Sequence, residues 1–425
     1  MMSDTLGSYS PAFFKMNVNV NGDIDLNSMS PKEFSVFFHE YIHFIQDFTT
    51  AACCRRIYVY GEYLRHSVAK IINGNEKTFQ VPIILSNFEN NVLPNIKLLD
   101  HLEGDRSDVY IQSINDVTLL PENVDDKDGG KVEYEVLTIE INNGDYLTVG
   151  TFAIKESMAY LVEKLCCTDY SKSPDFPYNI ARILSDFILG ERILSDIVVL
   201  AICDVSLLTS NPGLTYYRLL LAIKRGDIDA EDPEAIYDYF YSSRSKVYNT
   251  GQHILSIFDY LTNAKLALET LKMYYAVDKL QDLNQWIDDV FSLGVSLRTY
   301  RPYFILEMAR GKKDKDNEII QFFAKNVGAP LMENCQGQMY KLKMAGAEPP
   351  TEYLYILEQV YYLFKFGSQA CNLERWCMKN PGAPEAKSDG RCNSAPWSRC
   401  RDVNLCPYAL FWHHRNLSDY TPITV

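Results

Sequence analysis

The spacing of hydrophobic and polar positions changes several times along the chain. Residues 13–26 alternate around the pair Asn21-Gly22, which predicts a short hairpin. Ser30, Pro31 and Glu33 supply an N-cap, a proline for the first helical position and the acidic member of a capping box. A helix is therefore predicted from Pro31 to about residue 50. Between residues 75 and 150 the period is two, with strands predicted at 79–85, 109–120, 132–141 and 146–151. Residues 142–145 form a tight-turn signal between the last two, and 125–130 form a polar loop. From Ile154 to about Phe366 the pattern is helical nearly throughout, with breaks near 173–177, 211–213, 232–233 and 345–350 and no fixed repeat. An α+β fold, predominantly helical, is the expectation.

Composition narrows the classes. The 425 residues are 47% hydrophobic, enough to bury a large core. A formal charge of −14 argues against general nucleic-acid binding, which relies on Lys and Arg displacing counterions. Met1 to Phe14 shows no secretory pattern, and the most apolar stretch, 193–208, carries Asp196 and Asp204, so no membrane span is expected. Eleven cysteines, an odd number, suit a reducing compartment, and a cytoplasmic location is expected. The final stretch holds five of those cysteines and three of the four tryptophans. The working division is 1–172, an N-terminal part with a small sheet; 173–368, a helical region; and 369–425, a Cys- and Trp-rich module.

Chemistry enters at His39-Glu40-Tyr41-Ile42-His43, an H-E-x-x-H pattern inside the predicted helix. Spacing of i and i+4 puts both imidazoles on one face, able to share a cation, with Glu40 beside the open position to take a proton from water. At ~100° per residue, Ser35, His39, Glu40, His43, Gln46, Asp47 and Thr50 fall in one sector, opposite Phe34, Phe37, Phe38, Tyr41, Phe44, Ile45 and Phe48. A merely solvated face usually carries Lys or Arg; this one has none beyond Lys32.

The run HEYIHFIQDFT resembles the thermolysin-type helix of the zincin metallopeptidases. The resemblance implies a catalytic zinc on His39 and His43 and makes Asp47 a supporting residue behind the site. A catalytic zinc needs a third protein ligand. Glu156 is the favoured candidate, because Glu156-Ser157-Met158-Ala159, with Glu163 further on, is similar to the E-x-x-A glutamate helix of gluzincins. It lies 113 residues beyond His43. Glu62, 19 residues beyond His43, is the alternative, and His66 and His101 remain open.

The resulting expectation is a zinc-dependent endopeptidase, a hydrolase in which Glu40 is the general base and later returns its proton to the leaving amine. A protein or peptide substrate would lie along a sheet edge at 132–141 or 146–151, with few natural targets and room for a regulatory protein partner. Tyr160 is one nominee for the oxyanion donor. A zincin-like binding or regulatory protein, or a non-peptidase metal-dependent hydrolase, are the alternatives. Cys371, Cys377, Cys392, Cys400 and Cys406 can enclose a second, structural Zn²⁺ or an iron–sulfur cluster, with His413 and His414 as further donors, or can simply be buried beside Trp376, Trp397 and Trp412. Cys53-Cys54 and Cys166-Cys167 read as core.

Overall fold

In the computed structural model, which describes residues 7–424 apart from 23, 75, 86–91, 126–127, 129, 143, 243–245, 248–253, 256, 342–349 and 380–387, the chain opens with an antiparallel hairpin. Its strands are β1 (Gly7–Ser10) and β2 (Lys15–Val18). The reversal falls at 11–14, where Ala12 and Phe14 take φ of 71° and 53°. The predicted turn at Asn21-Gly22 is thus misplaced. That segment follows β2 and is held by distant groups: Asn334 Nδ2 donates to the Gly22 carbonyl at 2.7 Å and the Cys335 N–H to the Val20 carbonyl at 3.4 Å. Long-range bonds override the local turn preference.

Helix α1 (Pro31–Thr49) begins where the capping box requires. Ser30 Oγ accepts from the Glu33 N–H at 3.3 Å, and Glu33 Oε2 accepts from the Ser30 N–H at 3.0 Å. Such a cap is worth about 1 kcal/mol. Thr50, in extended conformation, ends α1 and caps α2 (Ala51–Asn73) by accepting from the Cys53 N–H. From Phe34 to Thr49 every residue except Val36 is buried. The polar sector of α1 is therefore not a solvated face.

β3 (Thr78–Val81) is shorter than predicted. It precedes α3 (Val92–Glu103), a helix inside the region of strand-like period; its buried Val92, Ile96, Leu99 and Leu102 follow helical spacing. β4 (Ile114–Asp125), β5 (Lys131–Ile141) and β6 (Asp145–Thr148) form an antiparallel meander. The predicted loop at 125–130 and turn at 142–145 lie partly outside the described residues.

The meander delivers the chain into α4 (Thr151–Cys166). Then come α5 (Ile180–Leu189), α6 (Asp196–Leu207), α7 (Pro212–Arg225) and α8 (Pro233–Ser242), a small pair β7 (Lys246–Val247) and β8 (Ile254–Leu255), and α9 (Ile257–Tyr274) and α10 (Gln281–Tyr300). Gly213, in the first turn of α7, approaches the chain just ahead of α4 so closely that a Cβ would stand 2.0 Å from the Val149 carbonyl oxygen. After α11 (Phe304–Arg310) and α12 (Glu318–Asn326), a hairpin of β9 (Leu331–Asn334) and β10 (Met339–Tyr340) interrupts the predicted helical run. The break expected at 345–350 lies outside the described residues except for Pro350. The chain ends with α13 (Glu352–Phe366), α14 (Glu374–Lys379), α15 (Pro407–His414) and β11 (Thr421–Thr424).

The protein is α+β and predominantly helical. One sheet runs β1-β2-β9-β10, with β2 parallel to β9 and β1 at an edge. In another, β3 lies parallel to β11. A continuous hydrophobic core extends from Ala12 to Leu417, so the segments 1–172, 173–368 and 369–425 interlock. No described helix is long and apolar enough to cross a membrane.

Candidate metal centre

His39 and His43 stand one turn apart on α1, and α4 packs across that face carrying Glu156. Glu156 Oε2 lies 3.2 Å from His39 Nε2 and 3.1 Å from His43 Nε2. The donor atoms of these three residues lie within 4.8 Å of one another, the one such set of His, Cys, Asp or Glu donors among the described residues. Donors sharing a tetrahedral ion at bond lengths of ~2.0–2.2 Å stand roughly 3.3–3.6 Å apart. This buried group can hold a metal ion with little movement of its side chains.

The remote ring nitrogens are also engaged. His39 Nδ1 is 3.0 Å from Glu163 Oε2, two turns along α4 from Glu156. His43 Nδ1 is 2.8 Å from Gln46 Oε1, and Gln46 Nε2 donates to the Lys155 carbonyl at 3.2 Å. Bonds of this kind fix the orientation of an imidazole and aim its other nitrogen at the ion.

Glu40 projects from the same helix into a cleft of about 570 Å³, which β1 borders. The fit is tight: a Cβ added to Gly7 would stand 2.7 Å from Glu40 Oε1. Lys155 and Tyr178 share the cleft wall with His39 and His43, and Lys155 Nζ is 3.6 Å from Glu156 Oε1. The wall also carries aromatic and charged residues, among them Tyr60, Tyr361, Arg106 and Lys365.

Burial and charge divide the site. Burial opposes a charge on His39, but its hydrogen bonds to Glu156 and Glu163 outweigh this and raise its pKa to about 10. Burial lowers His43 to about 4, leaving it neutral beside a charged His39. Glu156 resists burial and is held well below the usual carboxylate range by His43, Lys155 and His39. Burial pushes Glu40 up to about 8.

The other nominated residues are elsewhere. Glu62 is bound by Arg65 at 2.9 and 2.6 Å, with His66 Nε2 at 3.7 Å, and His101 is bonded to Tyr134; none lines the cleft. Asp47 makes no hydrogen bond to either histidine. It accepts from Tyr9 Oη and from the Ala12 N–H, both at 2.8 Å, and so ties the first hairpin to α1. Tyr160 packs on Tyr178, and it is Tyr178 that reaches the cleft. The edges expected to receive a substrate also differ. β5 is paired on both sides and β6 does not border the cleft, whereas the edge strand β1 does.

Sequence reasoning did not assign Gln46, Lys155, Glu163 or Tyr178 to the centre. Glu163 was the most accessible of these, seven residues beyond Glu156 and hence on the same helical face. Among the tail cysteines, Cys371, Cys377, Cys392 and Cys406 line a small separate cavity. Cys400 turns away and points at the Ser418 carbonyl at 3.7 Å, and His413 is engaged with Ser418 Oγ at 3.3 Å. Cys53, Cys54, Cys166 and Cys167 are buried in the core.

Comparison with protein-family models, curated proteins and solved structures finds no match to this chain.

Proposed function

We propose that the protein is a zinc-dependent endopeptidase whose metal is held by His39, His43 and Glu156. The observation that carries this reading is the convergence of those three donors, from α1 and α4, beside a buried carboxylate in an open cleft. Bound there, zinc supplies a Lewis acid that polarises a carbonyl and acidifies water.

The chain's own groups account for the rest. Glu40 takes the proton of the attacking water on one oxygen and hands it to the departing amine, and its burial raises its affinity for that proton above that of an ordinary carboxylate. Glu163 and Gln46 keep the two imidazoles aimed. Tyr178, whose ring centroid stands 5.9 Å from that of His39, is a phenol of the cleft wall that can donate to a developing oxyanion. An extended peptide can add by main-chain hydrogen bonds to the outer edge of β1, which pairs with no other strand among the described residues, and this suits a protein substrate.

The test is a survey of newly formed peptide termini after zinc-loaded protein is mixed with a proteome-derived peptide library. Cleavage at defined sites is expected, and Glu40→Gln should lower it by ~10²–10⁴-fold while binding zinc as before. No new termini from the zinc-loaded wild type, or equal cleavage by the Gln variant, overturns the reading.

A further inference from the structure

The small cavity in the C-terminal segment has four cysteine walls drawn from separate turns. Cys371 precedes α14, Cys377 lies within it, Cys392 sits in the 3₁₀ turn Gly390–Asn393, and Cys406 is the N-cap of α15. Three of the four are buried and Cys377 is half-buried. The chain itself draws two of them together, since the Cys371 N–H donates to the Cys392 carbonyl at 2.8 Å. All four are unpaired thiols.

Donors for sulfur surround the same space. Arg399, buried on the cavity wall, donates from Nη1 to Cys392 Sγ at 3.2 Å and from Nε to Asp402 at 3.2 Å. The Ala409 N–H, in the first turn of α15, donates to Cys406 Sγ at 3.5 Å. A buried guanidinium and a helix N-terminus both favour an anionic group bearing sulfur.

Spacing distinguishes the metal. Four thiolates sharing one zinc at ~2.3 Å would stand about 3.8 Å apart. No three of these sulfurs lie within 4.8 Å of one another, as the His39, His43 and Glu156 donors do. In a cubane cluster each thiolate binds its own iron, so the four sulfurs occupy the corners of a wider tetrahedron. We propose that Cys371, Cys377, Cys392 and Cys406 ligate a [4Fe–4S] cluster, and that Cys400 takes no part.

The cluster has a mechanical consequence. Ile356 of α13 borders this cavity, while Tyr361 and Lys365 further along the same helix border the catalytic cleft. Ligation of Cys371, four residues beyond the Gly367 cap of α13, fixes the rear of the helix that walls the cleft. The cluster is therefore a brace with no group in the zinc chemistry.

The test uses the full-length protein isolated anaerobically from iron-supplied cells. About four irons and four acid-labile sulfides per chain are expected, with the Mössbauer spectrum of a cubane. Cys400→Ser should retain both, whereas Cys377→Ser and Cys392→Ser should lose most of the sulfide. Zinc in four-sulfur coordination in this segment, mononuclear iron, no metal there at all, or loss of the cluster in Cys400→Ser overturns the proposal. The wild-type spectrum decides the matter even where a variant fails to fold. None of these readouts depends on peptide cleavage.

Discussion

His39 and His43 carry the same ring on the same helix, yet their surroundings leave one cationic and the other neutral. Two carboxylates flank His39, while His43 has an amide behind it. The raised pKa of His39 means that the folded state holds its proton more tightly than the unfolded chain does. That contribution to stability is complete below pH 6.5 and is lost as pH rises to about 10. Glu40, raised from 4.5 to about 8, has the same sign. His43, lowered from 6.5 to about 4, has the opposite one: its contribution is present above pH 6.5 and lost as pH falls. Metal-free protein should therefore lose stability above about pH 6.5, whereas an ion replaces the proton of His39 and removes much of that dependence. Melting curves with zinc and with chelator at pH 6.5, 8 and 9.5 should show the gap in Tm widening by several degrees, and a constant gap would refute the charge assignment. Tyr178 yields a second prediction at this scale. Tyr178→Phe should lower kcat by ~10²–10³ with little change in KM, as loss of one oxyanion donor does, and Tyr160→Phe should be nearly silent. Equal losses in the two variants would remove Tyr178 from that role. His39 and His43 were legible because H-E-x-x-H encodes its geometry in five residues; Glu163 shares a helical face with Glu156, but nothing local marks its bond to a histidine 124 residues away, Gln46 carried no signal beyond its place on the histidine face, and Tyr178 lies in a turn outside any motif.

At the scale of elements, α1 is positioned by what is attached to its two faces. Its apolar face packs into the core, and its polar face receives α4 and the hairpin of β1 and β2. Asp47 holds that hairpin through Tyr9 and Ala12, which brings Gly7 against Glu40. Gly7→Ala would place a methyl 2.7 Å from Glu40 Oε1, so either the carboxylate or the edge strand must shift. The expected outcome is a fall in kcat of tenfold or more, with Tm nearly unchanged, measured beside Ser8→Ala as a neighbouring control. An active Gly7→Ala enzyme would mean that β1 and Glu40 are not coupled. The start of α1 was readable because a capping box is local and its partners are three residues apart. The first hairpin and α3 were misread for a different reason. β2 gains a parallel neighbour in β9, more than 300 residues away, and the helical spacing of Val92, Ile96, Leu99 and Leu102 was masked by strand-like runs on either side.

Across the whole molecule, one ion pair joins α1 to the helices that follow α4. Asp204 of α6 and Arg298 of α10 are fully buried and form a bidentate pair, with Nη1–Oδ2 at 2.7 Å and Nη2–Oδ1 at 2.6 Å. Arg298 Nε also donates to the carbonyl of Thr49 at 2.8 Å, the last residue of α1, placing a cation at the negative end of that helix. Tyr237 Oη donates to Asp204 at 2.7 Å. The sequence presented Asp204 only as a charge that spoils an apolar stretch, and nothing local announced a partner 94 residues further on. Pairs of this kind add little over well-packed apolar residues, but removing one member strands the other in a low-dielectric interior at a cost of ~3–5 kcal/mol. Arg298→Met should therefore lower the midpoint of urea unfolding sharply and weaken zinc retention as the end of α1 frays. The double variant Asp204→Leu with Arg298→Met removes both charges and should recover most of the midpoint. It should not fully restore zinc retention, because the Thr49 carbonyl still lacks its donor. A double variant no more stable than Arg298→Met alone would show that the loss comes from packing and not from the stranded carboxylate. Full recovery of zinc retention in the double variant would show that the bond to Thr49 does not hold α1 in place.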